Sequence, residues 1–289
     1  MELHERIPAF RQARRQLEGT VALVPTMGAL HEAHRSLMRE GRRQADHLVV
    51  SIFVNPTQFG PGSDYDKYPR DLQRDRRQCQ EVGCSLVFAP PADEMYADDA
   101  STSVRVSELT DGLCGAHRPG HFEGVTNVVA KLFNIVEPDV AVFGEKDYQQ
   151  LVVIRQMVRD LNFPVEIVGA PTVRENDGLA VSSRNRYLDD EERRRASALS
   201  SALADAWRAY RDGVRDPAAI EGVVEQRLRE SVDAEAIEYV ECVDAETLEP
   251  LDSQVEEGTL IAVAVHVGSA RLIDNIRLDR PLPDELRAD

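Results

Sequence analysis

One stretch decides the fold of this chain: Val24-Pro25-Thr26-Met27-Gly28-Ala29-Leu30-His31-Glu32-Ala33-His34-Arg35-Ser36-Leu37-Met38. The apolar run at residues 21–24 predicts a buried strand that ends at Pro25, and Gly28 predicts a tight turn. From about His31 the apolar residues recur near the 3.6-residue period of a helix. Because a strand, a glycine turn and a helix in this order direct free backbone N–H groups at an anion, we expect an anion site here.

Two histidines lie in the first turn of the predicted helix. Because His31 and His34 are three residues apart, both project from one face, beside the positive end of the helix. Two imidazoles in this position can hold phosphate oxygens and stabilise charge as it develops, which predicts a nucleotide site. Two other interpretations stay open. The pair could be ordinary surface histidines, or a metal site, although the metalloprotease signature H-E-x-x-H spaces its histidines one residue further apart.

Composition and charge narrow the class of protein. The 289 residues, 42% of them hydrophobic and 29% charged, predict one large or two ordinary globular domains. No apolar run approaches a membrane span and the N-terminus lacks a signal-peptide core, so we expect a cytoplasmic protein without a membrane partner. A net charge of −17 argues against a nucleic-acid partner. The four cysteines form no Cys-x-x-Cys pair, which argues against a zinc site or a disulfide framework.

Further apolar runs predict the rest of a parallel α/β sheet. Strands are predicted at residues 47–54, 85–89, 141–143 and 165–169, and helices at 2–17, 71–82, 124–136 and 148–160. In such sheets the ligand crevice lies at the carboxyl ends of the strands, so Asn55 and Gln58 are candidate specificity groups. Residues 111–124 hold four glycines, two histidines and an arginine, and we expect them to form a long functional loop.

Two later segments have chemistry that suits phosphate. Gly144-Glu145-Lys146-Asp147 follows the fourth strand and precedes a helix, so it repeats the opening layout with a lysine at the strand end. That lysine is one of three in the chain, against 31 arginines, which favours a position where a compact ammonium is needed. The run Val181-Ser182-Ser183-Arg184-Asn185 offers two hydroxyls and a guanidinium. Taken alone, each segment would better fit an ordinary helix cap or a solvated loop.

The pattern changes after residue 186. One long helix is predicted at residues 189–213, a second at 216–231, and alternating strands at 236–243 and 259–268. Helices followed by antiparallel strands predict a separate small α+β domain. We therefore predict a parallel-sheet domain at residues 1–175 and a C-terminal α+β domain at residues 176–289.

Taken together, six motifs resemble the pantothenate synthetase family, the pantoate–β-alanine ligases. They fall in the family's order across residues 25–188. In this sequence they read Pro25-Thr26-Met27-Gly28-Ala29-Leu30-His31-Glu32-Ala33-His34, Phe53-Val54-Asn55-Pro56-Thr57-Gln58-Phe59-Gly60-Pro61, Tyr68-Pro69-Arg70, Arg118-Pro119-Gly120-His121-Phe122, Phe143-Gly144-Glu145-Lys146-Asp147-Tyr148-Gln149-Gln150 and Ser182-Ser183-Arg184-Asn185. Any one motif is weak, whereas six in register are highly specific.

The resemblance implies a fold and an activity. The fold is a Rossmann-like nucleotidyltransferase domain of the His-x-Gly-His type with a smaller C-terminal α+β domain that acts as a lid. The activity is the ATP-dependent condensation of (R)-pantoate with β-alanine, which gives pantothenate, AMP and pyrophosphate through pantoyl adenylate. The resemblance also implies Mg²⁺ that arrives with the nucleotide rather than in a metal site of the protein, and a homodimer.

The resemblance assigns most of its site residues to ATP. His34 is the proton donor, His31 binds phosphate, and Lys146 and Arg184 neutralise the α-phosphate. Asp147 holds the ribose hydroxyls. The full set implied for ATP binding is Met27, Gly28, Ala29, Leu30, His31, Glu32, Ala33, His34, Gly144, Glu145, Lys146, Asp147, Val173, Val181, Ser182, Ser183 and Arg184.

The remaining implied residues bind the other substrates. Gln58 and Gln150 bind pantoate, and Gln58 also contacts β-alanine, with Asn55 and His121 as second-rank candidates. The sequence departs from the family at Ala33, where glycine is usual. Since the added methyl lies where adenine approaches the helix, we expect altered ATP affinity with activity retained.

Three other functions stay open at this point. An adenylyl- or cytidylyltransferase that acts on a phosphorylated acceptor would use the same histidines without depending on β-alanine. A class I aminoacyl-tRNA synthetase shares the motif, but 289 residues at a net charge of −17 leave little room or charge for tRNA. A nucleotide-binding protein with a decayed site would explain Ala33, and it would bind ATP without turnover.

Overall fold

A computed structural model describes residues 1–60 and 65–287, which divide into two compact units. The first unit consists of Met1–Thr110, Gly115–Glu145 and Gln150–Pro171. The second consists of two short segments, Asp111–Cys114 and Lys146–Gln149, together with the chain from Thr172 onward. Lys146 and Asp147 therefore belong to the second unit, although they directly follow a strand of the first.

A six-stranded parallel sheet forms the centre of the first unit. Its strands are β1 (Glu2–His4), β2 (Val21–Thr26), β3 (His47–Ile52), β4 (Leu86–Phe88), β5 (Val140–Gly144) and β6 (Glu166–Ala170). The helices before Thr172 are α1 (Ile7–Arg14), α2 (Glu32–Gln44), α3 (Leu72–Val82), α4 (Ala92–Met95), α5 (Leu113–His117), α6 (His121–Val136) and α7 (Tyr148–Leu161). The predicted α/β fold class and the predicted strands of this sheet are confirmed.

The strand order of this sheet is β1-β4-β3-β2-β5-β6, so its direction reverses between β2 and β5. The chain runs from β2 through β3 to β4 on one side, then returns to β5 and β6 on the other. In open α/β sheets, ligands bind beyond the carboxyl ends of the strands at such a reversal. The topology therefore marks the carboxyl ends of β2 and β5, where the quoted stretch and Gly144 lie.

Apolar burial explains why the opening stretch folds as it does. Residues 21–24 of β2 are completely buried, as a parallel strand covered on both faces requires. Leu30 and Met38 of the turn and helix that follow pack into one cluster with Leu48 and Val50 of β3. Each such buried side chain contributes roughly 1.5–3 kcal/mol, so the packing of α2 on the sheet fixes the turn between them.

Pro25 does not end β2, which corrects the first expectation. The strand continues to Thr26, and Pro25 lies in register with Ser51 of β3. The carbonyls of Thr20 and Thr26 accept hydrogen bonds from β3, so the odd-numbered residues of β2 direct their backbone groups to the other side. There β5 is in register with β2 only at residues 22 and 23, so a residue without an N–H loses no ladder bond at Pro25.

Two other predictions for the first unit need correction. Residues 2–17 are not one helix, because residues 2–4 form the edge strand β1 beside β4, and three residues are too few to show an alternating pattern. The predicted loop at 111–124 is also wrong, since α5 and the start of α6 lie within it. Its glycines suggested a loop, but Gly124 is needed for close packing. A Cβ there would lie 2.4 Å from the carbonyl oxygen of Thr57.

The second unit combines helices with a three-stranded antiparallel sheet. Its helices are α8 (Asp190–Ala196), α9 (Ala198–Arg211) and α10 (Pro217–Arg229), and its sheet has the order β7 (Ile237–Asp244), β8 (Thr259–Val267) and β9 (Ala270–Arg277). The predicted single helix at 189–213 is therefore two helices, which meet at Ser197, whose hydroxyl donates to the Arg194 carbonyl. Sequence analysis missed β9, because the buried position in the middle of its alternation is held by a charged residue, Asp274.

Candidate active site

The turn after β2 presents the two histidines together. Gly28 and Ala29 adopt left-handed backbone conformations with φ of +80° and +51°, and His31 is the N-cap residue of α2. The His31 and His34 rings stack with their centroids 4.0 Å apart and an interplanar angle of 29°. The expectation that spacing places both imidazoles on one face of the first turn is met by this geometry.

The backbone of this turn is not available to an anion, which corrects the expectation of free N–H groups. Four successive N–H groups donate within the first unit: Gly28 to Thr26 Oγ1 at 3.2 Å, Ala29 to Asp75 Oδ2 at 2.9 Å, Leu30 to Asp75 Oδ1 at 2.8 Å and His31 to His34 Nδ1 at 3.4 Å. The Leu30 side chain is 1% exposed in the core. Any phosphate at this turn must therefore be held by side chains or by the N–H groups further along α2.

Two further residues of the quoted stretch have distinct surroundings. Glu32 is exposed and accepts a hydrogen bond from Arg39 Nη1 at 2.6 Å, so its carboxylate is already paired on the surface of α2. Ala33 is half-buried in the first turn of the same helix. The methyl group of Ala33 therefore lies in the turn that carries both histidines.

A polar network after β3 fixes the orientation of Gln58. The Asn55 side chain, 1% exposed, accepts at Oδ1 from the Tyr96 hydroxyl at 2.7 Å and from the Thr57 hydroxyl at 2.9 Å. Its Nδ2 consequently donates, to the Gly124 carbonyl and to Gln58 Oε1, both at 3.0 Å. Burial raises the pKa of Tyr96, although the hydrogen bond to Thr57 opposes this, and the neutral hydroxyl can donate as the network requires.

This network occupies the amide oxygen of Gln58 and leaves its amide nitrogen for other partners. Since Gln58 Oε1 is occupied, Nε2 is the group that can donate further, and its recorded contact is with Met27 Sδ at 3.2 Å. The Gln58 carbonyl is held by His121 Nδ1 at 2.9 Å and by Arg118 Nη2 at 3.4 Å. An amide fixed in this way suits an acceptor such as a carboxylate or a hydroxyl oxygen.

In the second unit, β9 holds the segment that carries Lys146. The Asn275 amide donates from Nδ2 to the Lys146 carbonyl at 2.9 Å, and Arg277 Nη1 donates to the Tyr148 hydroxyl at 3.4 Å. The Lys146 ammonium lies 4.0 Å from the carboxylate of Asp147, and the Lys146 side chain is 20% exposed. The backbone of this lysine is therefore anchored by β9, and its ammonium lies near the carboxylate of the next residue.

The same strand anchors a short hairpin at residues 173–181. Its two arms meet where the Val181 N–H donates to the Val173 carbonyl at 2.9 Å, so two residues implied for ATP binding are neighbours. Arg174 within it forms two hydrogen bonds, at 2.6 and 2.9 Å, to Asp274 of β9, and both side chains are 1% exposed. Burial alone would lower the pKa of Arg174, but the Asp274 carboxylate outweighs it and raises the pKa, so the guanidinium stays charged.

The segment Ser182-Ser183-Arg184-Asn185 directly follows this hairpin in the chain. Ser182 Oγ accepts from the Arg184 N–H at 3.3 Å, as an N-cap of the short 3₁₀ turn Ser183–Tyr187. Asn185 donates to Glu175 and to the Ala180 carbonyl, which ties the segment back to the hairpin. The hydroxyl groups of Ser182 and Ser183 and the guanidinium of Arg184 thus lie on a short segment that hydrogen bonds hold to the hairpin.

The structure distributes the sequence-predicted residues over the two units. Met27, Gly28, Ala29, Leu30, His31, Glu32, Ala33, His34, Gln58, Gly144, Glu145 and Gln150 lie in the first, and Lys146, Asp147, Val173, Val181, Ser182, Ser183 and Arg184 in the second. Gln150 is half-buried in the first turn of α7. Within the described residues, no group of three or more His, Cys, Asp or Glu side chains is placed to hold a metal ion.

A family model for pantoate-beta-alanine ligase matches residues 2–277 of this chain. The chain belongs to the pantoate–β-alanine ligase family. Among curated proteins it is similar to the pantothenate synthetase of Geobacter sulfurreducens, with 55% identity over 267 residues, which cover 92% of this chain and 94% of that protein. The protein is thus a member of a family of ligases.

Solved structures of the family have the same fold. The pantothenate synthetase of Thermus thermophilus is 49% identical, with a TM-score of 0.91 over 96% of this chain and 99% of that one. The pantoate-beta-alanine ligase of Francisella tularensis, solved in complex with β,γ-ATP and β-alanine, is 30% identical. Its TM-score is 0.79 over 98% of this chain and 100% of that one.

The residues that support the predicted site residues could not be recognised from the sequence. Asp75, Tyr96 and Asn275 contact the backbone or the amides of predicted site residues, yet none stands in a recognisable pattern. Asp75 lies in the first turn of a helix, where an acidic residue is ordinary and signals nothing more.

No helix among the described residues has both the length and the apolarity needed to cross a bilayer.

Proposed function

We propose that the protein condenses (R)-pantoate with β-alanine in an ATP-dependent reaction, giving pantothenate, AMP and pyrophosphate through pantoyl adenylate. One observation carries the proposal: the family match spans residues 2–277. Three of the six motifs stand at the carboxyl ends of β2, β3 and β5. The reversal of the strand order between β2 and β5 gives an independent reason to expect a ligand there.

The first chemical step makes the carboxylate of pantoate reactive. A pantoate oxygen attacks the α-phosphorus of ATP, and the bond to the β-phosphate oxygen breaks, so that pyrophosphate leaves. Charge builds on the phosphoryl oxygens during this step, and catalysis depends on positioning and electrostatic stabilisation. In our proposal His31 and His34 bind phosphate oxygens, with His34 as the proton donor, and Lys146 and Arg184 neutralise the α-phosphate.

The second step forms the amide. The amine of β-alanine attacks the activated carbonyl carbon, the bond from that carbon to the AMP oxygen breaks, and the proton of the amine is released. We assign Gln58 and Gln150 to pantoate, and Gln58 also to β-alanine. The fixed amide of Gln58 supports this assignment, because Asn55 holds its Oε1 and leaves Nε2 as the donor, and pantoate and β-alanine both carry carboxylate oxygens.

The rest of the nucleotide is assigned by the same reasoning. Asp147, whose side chain is about half exposed, holds the ribose hydroxyls, and Ser182 and Ser183 assist at the phosphate. Adenosine is lined by Met27, Gly144 and Val173. Mg²⁺ would enter with the nucleotide as part of the substrate and would neutralise phosphate charge, because a small hard cation is usually held by phosphates with few protein ligands.

We further propose a domain boundary at residues 175/176, with the C-terminal domain as a lid that shields the labile adenylate from water.

We also propose that the protein is a homodimer and that it is located in the cytoplasm. Light scattering of the purified protein tests the dimer, since a molar mass equal to one chain of 32.3 kDa would contradict it.

The function is tested with purified protein, ATP, Mg²⁺ and pantoate, with and without β-alanine, while pyrophosphate, AMP and pantothenate are measured. We expect AMP and pantothenate in equal amounts, and only when β-alanine is present. Continuous pyrophosphate release that needs a phosphorylated acceptor rather than pantoate and β-alanine, with the nucleotidyl group transferred to that acceptor, would favour the adenylyl- or cytidylyltransferase alternative. No pyrophosphate under any condition, with ATP still bound, would support the decayed-site alternative.

A further inference from the structure

A buried carboxylate holds the turn that precedes the histidine pair. Asp75 of α3 is 1% exposed, and its two oxygens accept the N–H groups of Ala29 at 2.9 Å and Leu30 at 2.8 Å. One turn later on the same helix, Gln78 Nε2 donates to the Leu30 carbonyl at 2.9 Å. Helix α3 thus holds both polar backbone groups of the residue that directly precedes His31.

The backbone held by Asp75 is strained. Ala29 has a φ of +51°, a left-handed conformation that costs a non-glycine residue about 1–2 kcal/mol. Such conformations persist where surrounding contacts over-determine them, and they cluster at functional sites. Gly28 has a φ of +80°, and a Cβ there would lie 2.9 Å from Asp75 Oδ2, so the approach of the carboxylate also depends on a glycine.

The histidines are placed by this turn. His31 is the N-cap residue of α2, its carbonyl accepts the Arg35 N–H at 3.0 Å, and its ring stacks on that of His34. A shift of the turn at residues 28–30 would therefore move the His31 ring and disturb the stack. Because the Asp75 carboxylate is enclosed and both oxygens are bonded to backbone, it can act on a substrate only through this turn.

We infer that Asp75 is a positioning residue for the histidine pair: it fixes the turn at residues 28–30, and so sets the two imidazoles at the geometry that binds the phosphate oxygens of ATP. The inference rests on the proposed function for the identity of the nucleotide. It also implies that the N–H groups of Ala29 and Leu30 bind the Asp75 carboxylate while the imidazoles bind the substrate.

The test replaces one carboxylate oxygen with an amide nitrogen. In Asp75→Asn, one of the two backbone N–H groups meets an NH₂ group, so one hydrogen bond is lost and two donors face each other. The matched control is Asp71→Asn, on the same helix, because Asp71 also accepts a backbone N–H, that of Arg74 at 2.9 Å, but is exposed. A loss that came from a weakened α3 would affect both variants.

We expect pantoate-dependent pyrophosphate release at saturating ATP to slow about 10- to 100-fold in Asp75→Asn, since displacements near 1 Å have effects of that size. Asp71→Asn should stay within about twofold of wild type. A rate in Asp75→Asn within twofold of wild type would overturn the inference. If Asp75→Asn does not fold, Asp75→Glu gives the same test, because it keeps the charge and moves the oxygens by one methylene.

A second readout does not depend on turnover. The chain has seven histidines, so the imidazole resonances of His31 and His34 can be assigned in the labelled protein with His31→Gln and His34→Gln. We expect Asp75→Asn to shift these two resonances and leave the other five, while Asp71→Asn shifts none. A lower melting temperature with unchanged His31 and His34 resonances would show a structural role alone and overturn the inference.

These readouts separate the two possible failures. If wild-type protein makes no pantothenate while Asp75→Asn still shifts the two histidine resonances, the proposed function fails and the positioning geometry stands. If wild type is active and Asp75→Asn is as active with unchanged resonances, the function stands and the inference fails.

Discussion

The two groups of predicted site residues, one in each unit, are supported by opposite means. In the first unit, the turn before the histidines is held from outside the sheet, where the buried carboxylate of Asp75 accepts two neutral backbone N–H groups. In the second unit, two consecutive residues of β9 hold both segments. Asp274 pairs with Arg174 of the hairpin at residues 173–181, and Asn275 bonds the Lys146 carbonyl. In both units, the position of a predicted site residue depends on partners that carry no sequence signature of their own.

The largest effect on stability should follow from breaking the charged support. Asp274→Ala leaves the Arg174 guanidinium buried without its carboxylate, which costs about 3–5 kcal/mol of unfolding free energy. The only tryptophan, Trp207, lies in α9 of the second unit, so its fluorescence during urea unfolding reports on that unit. The control Glu230→Gln breaks the exposed pair with Arg227 and should cost no more than about 1 kcal/mol. An equal loss of unfolding free energy in Asp274→Ala and Glu230→Gln would contradict the expected difference between a buried and an exposed ion pair.

The largest effect on chemistry should follow from removing the charge that β9 positions. Lys146→Ala is expected to slow pyrophosphate release about 10²- to 10³-fold, because the developing charge on the α-phosphate loses its ammonium partner. The exposed Lys67→Ala is the matched lysine control and should match wild type. Quenched-flow experiments measure the rate of pyrophosphate release in both variants. An unchanged rate in Lys146→Ala would exclude this lysine from the mechanism.

The neutral support of Lys146 should matter less than its charge. Asn275→Ala removes the donor to the Lys146 carbonyl, worth about 1 kcal/mol, and should slow the same step about 3- to 10-fold. The KM for pantoate should stay unchanged, since both residues assigned to pantoate lie in the first unit. Asn275→Asp, which sets an acceptor against the carbonyl, should be slower than Asn275→Ala, and the reverse order would contradict the assigned hydrogen bond.

The pH dependence of stability should report on the buried carboxylate of the first unit. Burial raises the pKa of Asp75 above its ordinary 3.8, although the N–H groups of Leu30 and Ala29 oppose the rise. Between 3.8 and the raised value the folded chain binds more protons than the unfolded chain, so its stability falls as pH rises through that window. The stability of wild type relative to Asp75→Asn, from urea unfolding followed by circular dichroism, should therefore decrease with rising pH there. If this relative stability increased with rising pH, the inferred upward shift of the pKa of Asp75 would be contradicted.

The smallest effect should come from the one departure in the histidine motif. Ala33→Gly removes a methyl beside the histidines and is expected to change ATP affinity a few-fold, at a cost of about 1 kcal/mol in helix stability. Equilibrium binding of a non-hydrolysable ATP analogue measures the affinity directly. Identical dissociation constants in the two proteins would show that the methyl does not touch the nucleotide.

Features of the fold and of the candidate site that depend on neighbouring residues in the sequence could be predicted, whereas features that depend on distant residues could not. Apolar runs are local, so β2 and β3 were found, and the spacing of His31 and His34 placed both rings on one face. Pro25 was misjudged because its tolerance depends on where β5 stops pairing with β2, which is a property of the whole sheet. The support residue Asp274 escaped for the same reason, since a carboxylate in a strand core makes sense only with Arg174 opposite, 100 residues earlier in the chain.

The most direct test of the account is the exchange of labelled pyrophosphate into ATP by wild-type protein with pantoate and Mg²⁺ but no β-alanine. The adenylate route predicts exchange that requires pantoate, because the first step is reversible before the amine attacks. Exchange should be strongly reduced in Lys146→Ala and also in Asp75→Asn. No exchange in a wild-type protein that does form pantothenate once β-alanine is added, or exchange without pantoate, would contradict an enzyme-bound pantoyl adenylate.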